Sequence, residues 1–252
     1  GRVGFTGGVG IADKWTGNAQ DPDHWRDSHF RLEGPAVAQM QAAFMDNWMK
    51  TQSEVLHGEE YFPPLPPVGS ALAQVFKSSP REGSESVRLM YLLSIASARR
   101  RVLIANSYFV PDDLAVETMV KARQRGVDVE VLVPGTRIDS ELTRKASRSR
   151  WGDLLKAEVE IYEYQPTMYH CKVMVVDDLW VSVGSTNFDN RSFRLNDEEN
   201  LNVYDADFAR EQIRHFEADR AKARRITYAE WKARPLSEKI LEHTAGLLRG
   251  QL

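Results

Sequence analysis

A histidine and a lysine two residues apart, His170 and Lys172, head an apolar run, Val173-Met174-Val175-Val176, that Asp177 closes. The run has strand character, and residues two apart on a strand share a face, so imidazole and ammonium project together. Such a pair suits attack on a phosphodiester: the histidine serves as nucleophile or proton donor, and the lysine neutralises charge on the equatorial oxygens. A second short strand, Trp180 to Val183, leads into the turn Gly184-Ser185-Thr186-Asn187. There Ser185, Asn187 and the backbone N–H groups are expected to hold further phosphate oxygens. Taken singly, each residue is ordinarily a satisfied core or surface group. The combination is what points to phosphoryl transfer.

At these residues the chain resembles the phospholipase D superfamily, whose signature is His-x-Lys-x4-Asp followed by Gly-Ser/Gly-x-Asn. The stretches Asn106-Ser107-Tyr108-Phe109-Val110-Pro111, Gly126-Val127-Asp128-Val129, Val133-Pro134-Gly135 and Ile161-Tyr162-Glu163-Tyr164 resemble its bacterial cardiolipin synthase branch. The resemblance spans roughly residues 1 to 215. It implies phosphatidyl transfer from phosphatidylglycerol through a phosphohistidine, with one histidine attacking phosphorus and a second protonating the leaving alcohol. On this resemblance Lys172 clamps the phosphate, Ser185 and Asn187 add donors, and Asp177 fixes the local sheet and turn. His170 is then the acid and base and an upstream histidine the nucleophile, or the reverse. A phospholipid substrate, no metal or other cofactor, and a place at the cell inner membrane are implied as well, peripheral or anchored through an upstream segment. Two rival readings remain: a hydrolytic phospholipase D or nucleic-acid phosphodiesterase, and an inactive membrane-associated or interaction domain.

An internal correspondence bears on completeness. Gly1 to Gly10 can be laid over Asp178 to Asn187 without a gap, which pairs Gly7 with Gly184 and Gly8 with Ser185 and leaves Gly10 where Asn187 stands. The first His-x-Lys-x4-Asp is therefore expected upstream of Gly1, outside this sequence, and a complete site needs that half or a homodimer partner. Asp27-Ser-His-Phe-Arg-Leu can likewise be laid over Glu198-Glu-Asn-Leu-Asn-Val. The resemblance implies that these acids hydrogen-bond the catalytic imidazoles and set their tautomers. Glu198 is expected to orient His170, and Asp27 the upstream histidine. Strand alternation favours Glu198 over its neighbour Glu199 by placing it on the polar face with Asn200 and Asn202.

The net charge of −3 supplies no global basic field of the kind nucleic acids attract. Local basic runs at 99–101, 144–150 and 220–225 remain candidates for acidic head groups, with 139–150 foremost because it follows a strand and loop. The single cysteine, Cys171, excludes an intrachain disulfide and is expected to point away from His170 and Lys172. No metal-ligand spacing joins the histidines, and no apolar stretch is long enough to span a bilayer.

The elements that position the motif follow from periodicity. Strands are expected near 2–6 and 29–33, then an amphipathic helix over 36–50. Residues 62–70, with Phe62-Pro63-Pro64-Leu65-Pro66-Pro67, form a stiff connection. Beyond it, strands near 71–77, 102–105, 127–133, 159–164, 173–176, 180–183 and 198–203 alternate with helices at 85–100, 112–125 and 138–156. A helix capped by Asp205 runs to about 222, and helices near 227–233 and 236–249 follow. The expected class is α/β, a mixed sheet layered between helices, with the end of a first half at 1–61, a complete second half at 71–222 and a C-terminal helical extension at 223–252. The last helix is expected to pack on the domain, with Leu236, Ile240, Leu241, Leu247 and Leu248 in partial helical register.

Overall fold

The computed structural model describes residues 1–80, 85–248 and 250–251. Strand β1 (Val3–Gly7) pairs antiparallel with β2 (His29–Glu33) as a two-stranded sheet, and helix α1 (Val37–Gln52) follows. Residues 62–71 contain neither helix nor strand and lead to β3 (Leu72–Ser78). Next come α2 (Ser86–Ser97), β4 (Arg101–Asn106), α3 (Asp113–Gln124), β5 (Asp128–Pro134), α4 (Glu141–Ser149), α5 (Trp151–Lys156) and β6 (Glu160–Tyr164). The motif occupies β7 (Lys172–Val176) and β8 (Trp180–Gly184), followed by α6 (Asn190–Arg194), β9 (Glu198–Tyr204), α7 (Ala206–Arg220), β10 (Ala223–Ile226), α8 (Tyr228–Lys232) and α9 (Leu236–Leu247). Asp112, Ser140 and Asp205 cap α3, α4 and α7 by accepting backbone N–H bonds.

Eight strands make one mixed sheet in the order β10-β6-β5-β4-β7-β8-β9-β3. β4, β5 and β6 run parallel, as helical crossovers require; β7 reverses beside β4, and the remaining pairs are antiparallel. Alternation splits the strands between two cores. Val102, Ile104, Met174 and Val176 face α2, α3 and α5, while Leu103, Ala105, Val173, Val175, Leu201 and Val203 face α7. Phe30 and Leu32 of β2 pack against that second core, which seats the small sheet on the same side. The fold is thus the layered mixed α/β arrangement that periodicity predicts.

Two hairpins repeat each other. β1 pairs with β2 from Val3↔Glu33 to Gly7↔His29, and β8 pairs with β9 from Trp180↔Tyr204 to Gly184↔Asn200, the same register in the residues the sequence correspondence equates. A Cβ on Gly7 would run into the Ser28 carbonyl, and one on Gly184 into the Glu199 carbonyl, so close backbone approach demands glycine at both. Gly8 N–H donates to Ser28 O at 3.2 Å, as Ser185 N–H donates to Glu199 O at 3.0 Å.

The C-terminal segment departs from expectation. Residues 223–226 are not helical; they add an edge strand to β6, because Ile226 buries its side chain while Arg224 and Arg225 meet Glu163 and Glu160. On α9 the packed face carries Glu242 and Ala245, whereas Leu236, Ile240, Leu241, Leu247 and Leu248 stay exposed. The expected end of that helix at 249 lies outside the described residues. The basic runs are also largely neutralised within the protein. Arg101 meets Asp178, Arg144 and Arg148 meet Glu163, Arg150 meets Asp113, and Arg220 meets Glu130. Segment 139–150 is therefore chiefly a structural clamp. No described helix is long and apolar enough to cross a membrane.

Candidate active site

The register Asn106↔Lys172 and Gly184↔Asn200 brings the C-terminal ends of β4 and β8 together with the N-terminal ends of β7 and β9. His170 and Lys172 stand at that end of the sheet. Lys172 Nζ lies 3.0 and 3.1 Å from the two ring nitrogens of His170 and donates to the His170 carbonyl at 2.7 Å. The expected convergence of imidazole and ammonium is present. Cys171 points into the opposite core, where burial raises its thiol pKa to about 11.

Lys172 is 4% exposed, and burial pulls its pKa down to about 8, against the opposing influence of Asp27, Cys171, Glu198 and Asp139. Keeping this ammonium charged in the interior costs stability. Below pH 8 the lysine is protonated in folded and unfolded chains alike, so the cost is fully present. Between pH 8 and its ordinary value of 10.5 the folded chain binds fewer protons than the unfolded one, and stability rises. Lys172→Met is expected to stabilise the chain by on the order of 2–3 kcal/mol at pH 7, with the gap closing toward pH 10. Urea unfolding of both proteins across that range measures it; a gap independent of pH would remove the buried charge as its cause.

The imidazole has an acidic partner, and it is not the expected one. Asp27 Oδ2 accepts from His170 Nδ1 at 2.8 Å; Glu198 instead accepts from Ser185 Oγ at 2.5 Å, Ser192 Oγ at 2.8 Å and Asn196 Nδ2 at 3.1 Å. Burial raises the Glu198 carboxyl above its ordinary range. The reason for the exchange is topological. The segment bearing Asp27 lies alongside the strand approach to His170, with His170 N–H donating to Arg26 O at 2.7 Å and Arg26 N–H to Met168 O at 2.9 Å. Arg26 is in turn ion-paired to Asp219 on α7 at 2.8 Å. The acid of one hairpin thus reaches across to the imidazole beside the other.

Two further expectations, for Ser185 and for the turn, change in detail. Ser185 donates its hydroxyl to Glu198 and accepts from Glu199 N–H at 3.1 Å, so that hydroxyl proton is committed within the protein. The backbone N–H groups of Ser185, Thr186 and Phe188 are directed to Glu199 O, Asn200 Oδ1 and Asn106 Oδ1, so the turn is less open to an anion than its glycine-led sequence suggests. Asp177 sits at the far end of β7 from His170, where two consecutive left-handed residues, Asp177 and Asp178, make the turn. Its carboxylate accepts the N–H groups of Arg99, Arg100 and Arg101 at 2.9, 2.8 and 3.1 Å, a structural duty.

Asn187 does converge on the pair, through a residue that motif spacing did not single out. Ser107 Oγ accepts from Lys172 Nζ at 2.8 Å and donates to Asn187 Oδ1 at 2.6 Å. Trp15, in a short 3-10 turn at Asp13–Trp15, donates its indole N–H to Asp27 Oδ2 at 2.9 Å. Its ring and that of Trp25 lie 5.7 and 5.2 Å from the His170 ring, and Tyr108 lies 6.4 Å away edge-on. A tryptophan twelve residues before an acid has no spacing signature, and only the fold connects them. Aromatic rings and a buried ammonium surround His170 and leave it 15% exposed.

Comparisons with known proteins bear on the family and the fold. The family described as "Cardiolipin synthase, PLD-like domain" matches residues 91–220. The probable cardiolipin synthase YwiE of Bacillus subtilis is 36% identical over all of this chain and 50% of its own length. A cardiolipin synthase of Geobacillus thermodenitrificans is 36% identical over 98% of this chain and 50% of its own. The chain spans about half the length of the curated relatives it matches. Among solved structures, phosphatidylserine synthase from Haemophilus influenzae superposes with a TM-score of 0.75 at 13% identity, covering 100% of this chain and 69% of that one. The phospholipase D family member Nuc from Salmonella typhimurium gives 0.55 at 22% identity over 63% of this chain and 99% of that one.

Proposed function

Because the chain belongs to the cardiolipin synthase family of phospholipase D-like domains, we propose that it supplies one of two histidine centres of a phosphatidyltransferase acting on phosphatidylglycerol. The observation that carries this reading is the buried Lys172 ammonium against an imidazole whose Nδ1 is held by Asp27, with Asn187 alongside. With Nδ1–H donated to the carboxylate, Nε2 of His170 presents its lone pair or its proton to a substrate.

In the proposed reaction an imidazole nitrogen attacks the phosphorus of one phosphatidylglycerol. An N–P bond forms, the P–O bond to the head-group glycerol breaks, and the second imidazole gives that alkoxide a proton. A hydroxyl of another phosphatidylglycerol then loses its proton to the same imidazole and attacks phosphorus, breaking the N–P bond and forming cardiolipin. We assign His170 the acid and base role. Lys172 and the Asn187 amide hold the phosphoryl oxygens, and no metal takes part. Asp27 fixes the His170 tautomer, and Glu198, its counterpart in the repeated hairpin, serves the other imidazole.

That other imidazole is proposed to come from a second copy of the motif. Residues 1–61 are then the closing part of one half, 62–70 the connection and 71–222 the other half. The exposed leucines of α9 fit a working place at a membrane surface. A net charge of −3 and internally paired arginines speak against a nucleic-acid substrate. Incubation with phosphatidylglycerol tests the reading: cardiolipin and glycerol are expected from the complete two-motif enzyme, whereas phosphatidic acid would make it a hydrolase. This chain by itself is expected to show little or no turnover. Turnover by the isolated chain that vanishes in His170→Ala would overturn that and favour a site shared by two copies.

A further inference from the structure

We propose that Ser107 is a positioning residue that aims both phosphate donors of this site, the Lys172 ammonium and the Asn187 amide, by acting as the hydrogen-bond hinge between them. The inference rests on the reading that Lys172 and Asn187 hold phosphoryl oxygens.

Ser107 is 2% exposed and follows β4 directly. Its N–H donates to Cys171 O at 3.0 Å, which extends the β4–β7 pairing by one step and fixes the side chain between the motif strand and the Asn187 turn. The neighbouring Asn106 holds the turn from the same side, with Oδ1 accepting from Phe188 N–H at 3.0 Å and Nδ2 donating to Thr186 O at 3.4 Å. Between these anchors the serine hydroxyl has one assignment that satisfies every atom. Lys172 only donates, so Ser107 Oγ accepts from it at 2.8 Å; the hydroxyl proton then goes to Asn187 Oδ1 at 2.6 Å.

Two consequences follow. Asn187 has its carbonyl oxygen turned inward, so its NH₂ faces outward as a donor. Lys172 has one N–H on Ser107 and a second on the His170 carbonyl, at 2.7 Å, which leaves the third against the imidazole, whose ring nitrogens lie 3.0 and 3.1 Å from Nζ. Both donors are thereby held beside the imidazole by one hydroxyl. A lysine held only by its flexible stem would lose this direction. The charged and titratable groups around Lys172 are His170 and Cys171 just before its own strand, Asp27 from the facing segment, Glu198 from β9 and Asp139 from the loop after β5. Ser107 is the neutral acceptor among them, and it supports the protonated form of a lysine that burial otherwise discharges.

The test uses Ser107→Ala, Ser107→Cys, which keeps the volume with a weak donor, and Ser107→Thr, which keeps the hydroxyl. In the complete two-motif enzyme, Ser107→Ala and Ser107→Cys are expected to lower kcat for cardiolipin formation about tenfold with KM nearly unchanged. In this chain, ¹⁵N NMR is expected to show the Lys172 titration midpoint moving below its wild-type value in both variants. Ser107→Thr is expected to restore rate and midpoint together. An unchanged kcat in a folded Ser107→Ala or Ser107→Cys protein overturns the proposal, as does failure of the threonine to rescue. Lys172→Ala separates this from the underlying reading: if its loss leaves cardiolipin formation intact, the phosphate-binding site itself is wrongly assigned, whereas a dead Lys172→Ala beside a fully active Ser107→Ala leaves that site standing and removes only the hinge.

Discussion

His170→Ala is expected to lower cardiolipin formation by the complete enzyme about 10³-fold or more while leaving the fold intact. The imidazole is the group in the site that can both give and take a proton and that has an orienting carboxylate, Asp27 Oδ2 at 2.8 Å. Losing it removes proton transfer to or from the reacting alcohol in both steps. Lys172 and Asn187 would remain, so binding of the phosphate would outlast catalysis and KM would change less than kcat. The ring is 15% exposed, so its removal leaves space that water can reach and should not unfold the sheet. His170→Gln, which keeps a polar group of similar reach but cannot shuttle a proton, should be as inactive as the alanine. Initial rates with radiolabelled phosphatidylglycerol decide the matter. A glutamine variant retaining a tenth of the activity would contradict the acid and base assignment.

The largest stability loss is expected at Glu163, remote from the chemistry. Its side chain is 2% exposed and receives three guanidinium groups, Arg148 at 2.7 Å and Arg144 and Arg224 at 3.1 Å. Arg148 also meets Glu242 at 2.9 Å, and Glu242 meets Arg234 at 2.6 Å, so one chain of charges ties β6, α4, β10 and α9 together. Glu163→Ala would leave buried positive charge without its counterion, which costs roughly 3–5 kcal/mol. Urea unfolding measures that directly. The exposed pair Lys121–Glu117 on α3, with side chains 61% and 56% exposed, provides the contrast: Glu117→Ala should change stability by less than about 1 kcal/mol. Equal effects at the two sites would refute the claim that burial of the Glu163 cluster gives it its weight.

Much of this was legible in the amino-acid order, for identifiable reasons. The apolar strands, the capping residue Asp205 and the His-x-Lys spacing are local signals, and local rules read them. The hairpin repeat was legible because close backbone approach demands a glycine at Gly7 and at Gly184. What escaped is what depends on how distant segments meet. Correspondence equated Asp27 with Glu198 but carried no information on which imidazole each would face, and the partner of His170 lies 143 residues away. Ser107 was visible only as part of a family-like string, since its role needs β4 beside β7. β10 falls where the sequence predicts the start of a helical tail, because Ala223-Arg224-Arg225-Ile226 is too short for alternation to declare itself, and the acids that draw it to the sheet edge belong to β6.

The crossing of Asp27 to His170 also joins two segments far apart in the sequence. The carboxylate that meets the imidazole is carried beside Arg26, which is ion-paired to Asp219 on α7. Orientation of that ring is therefore a property of the docked pair of segments, and neither one supplies it alone.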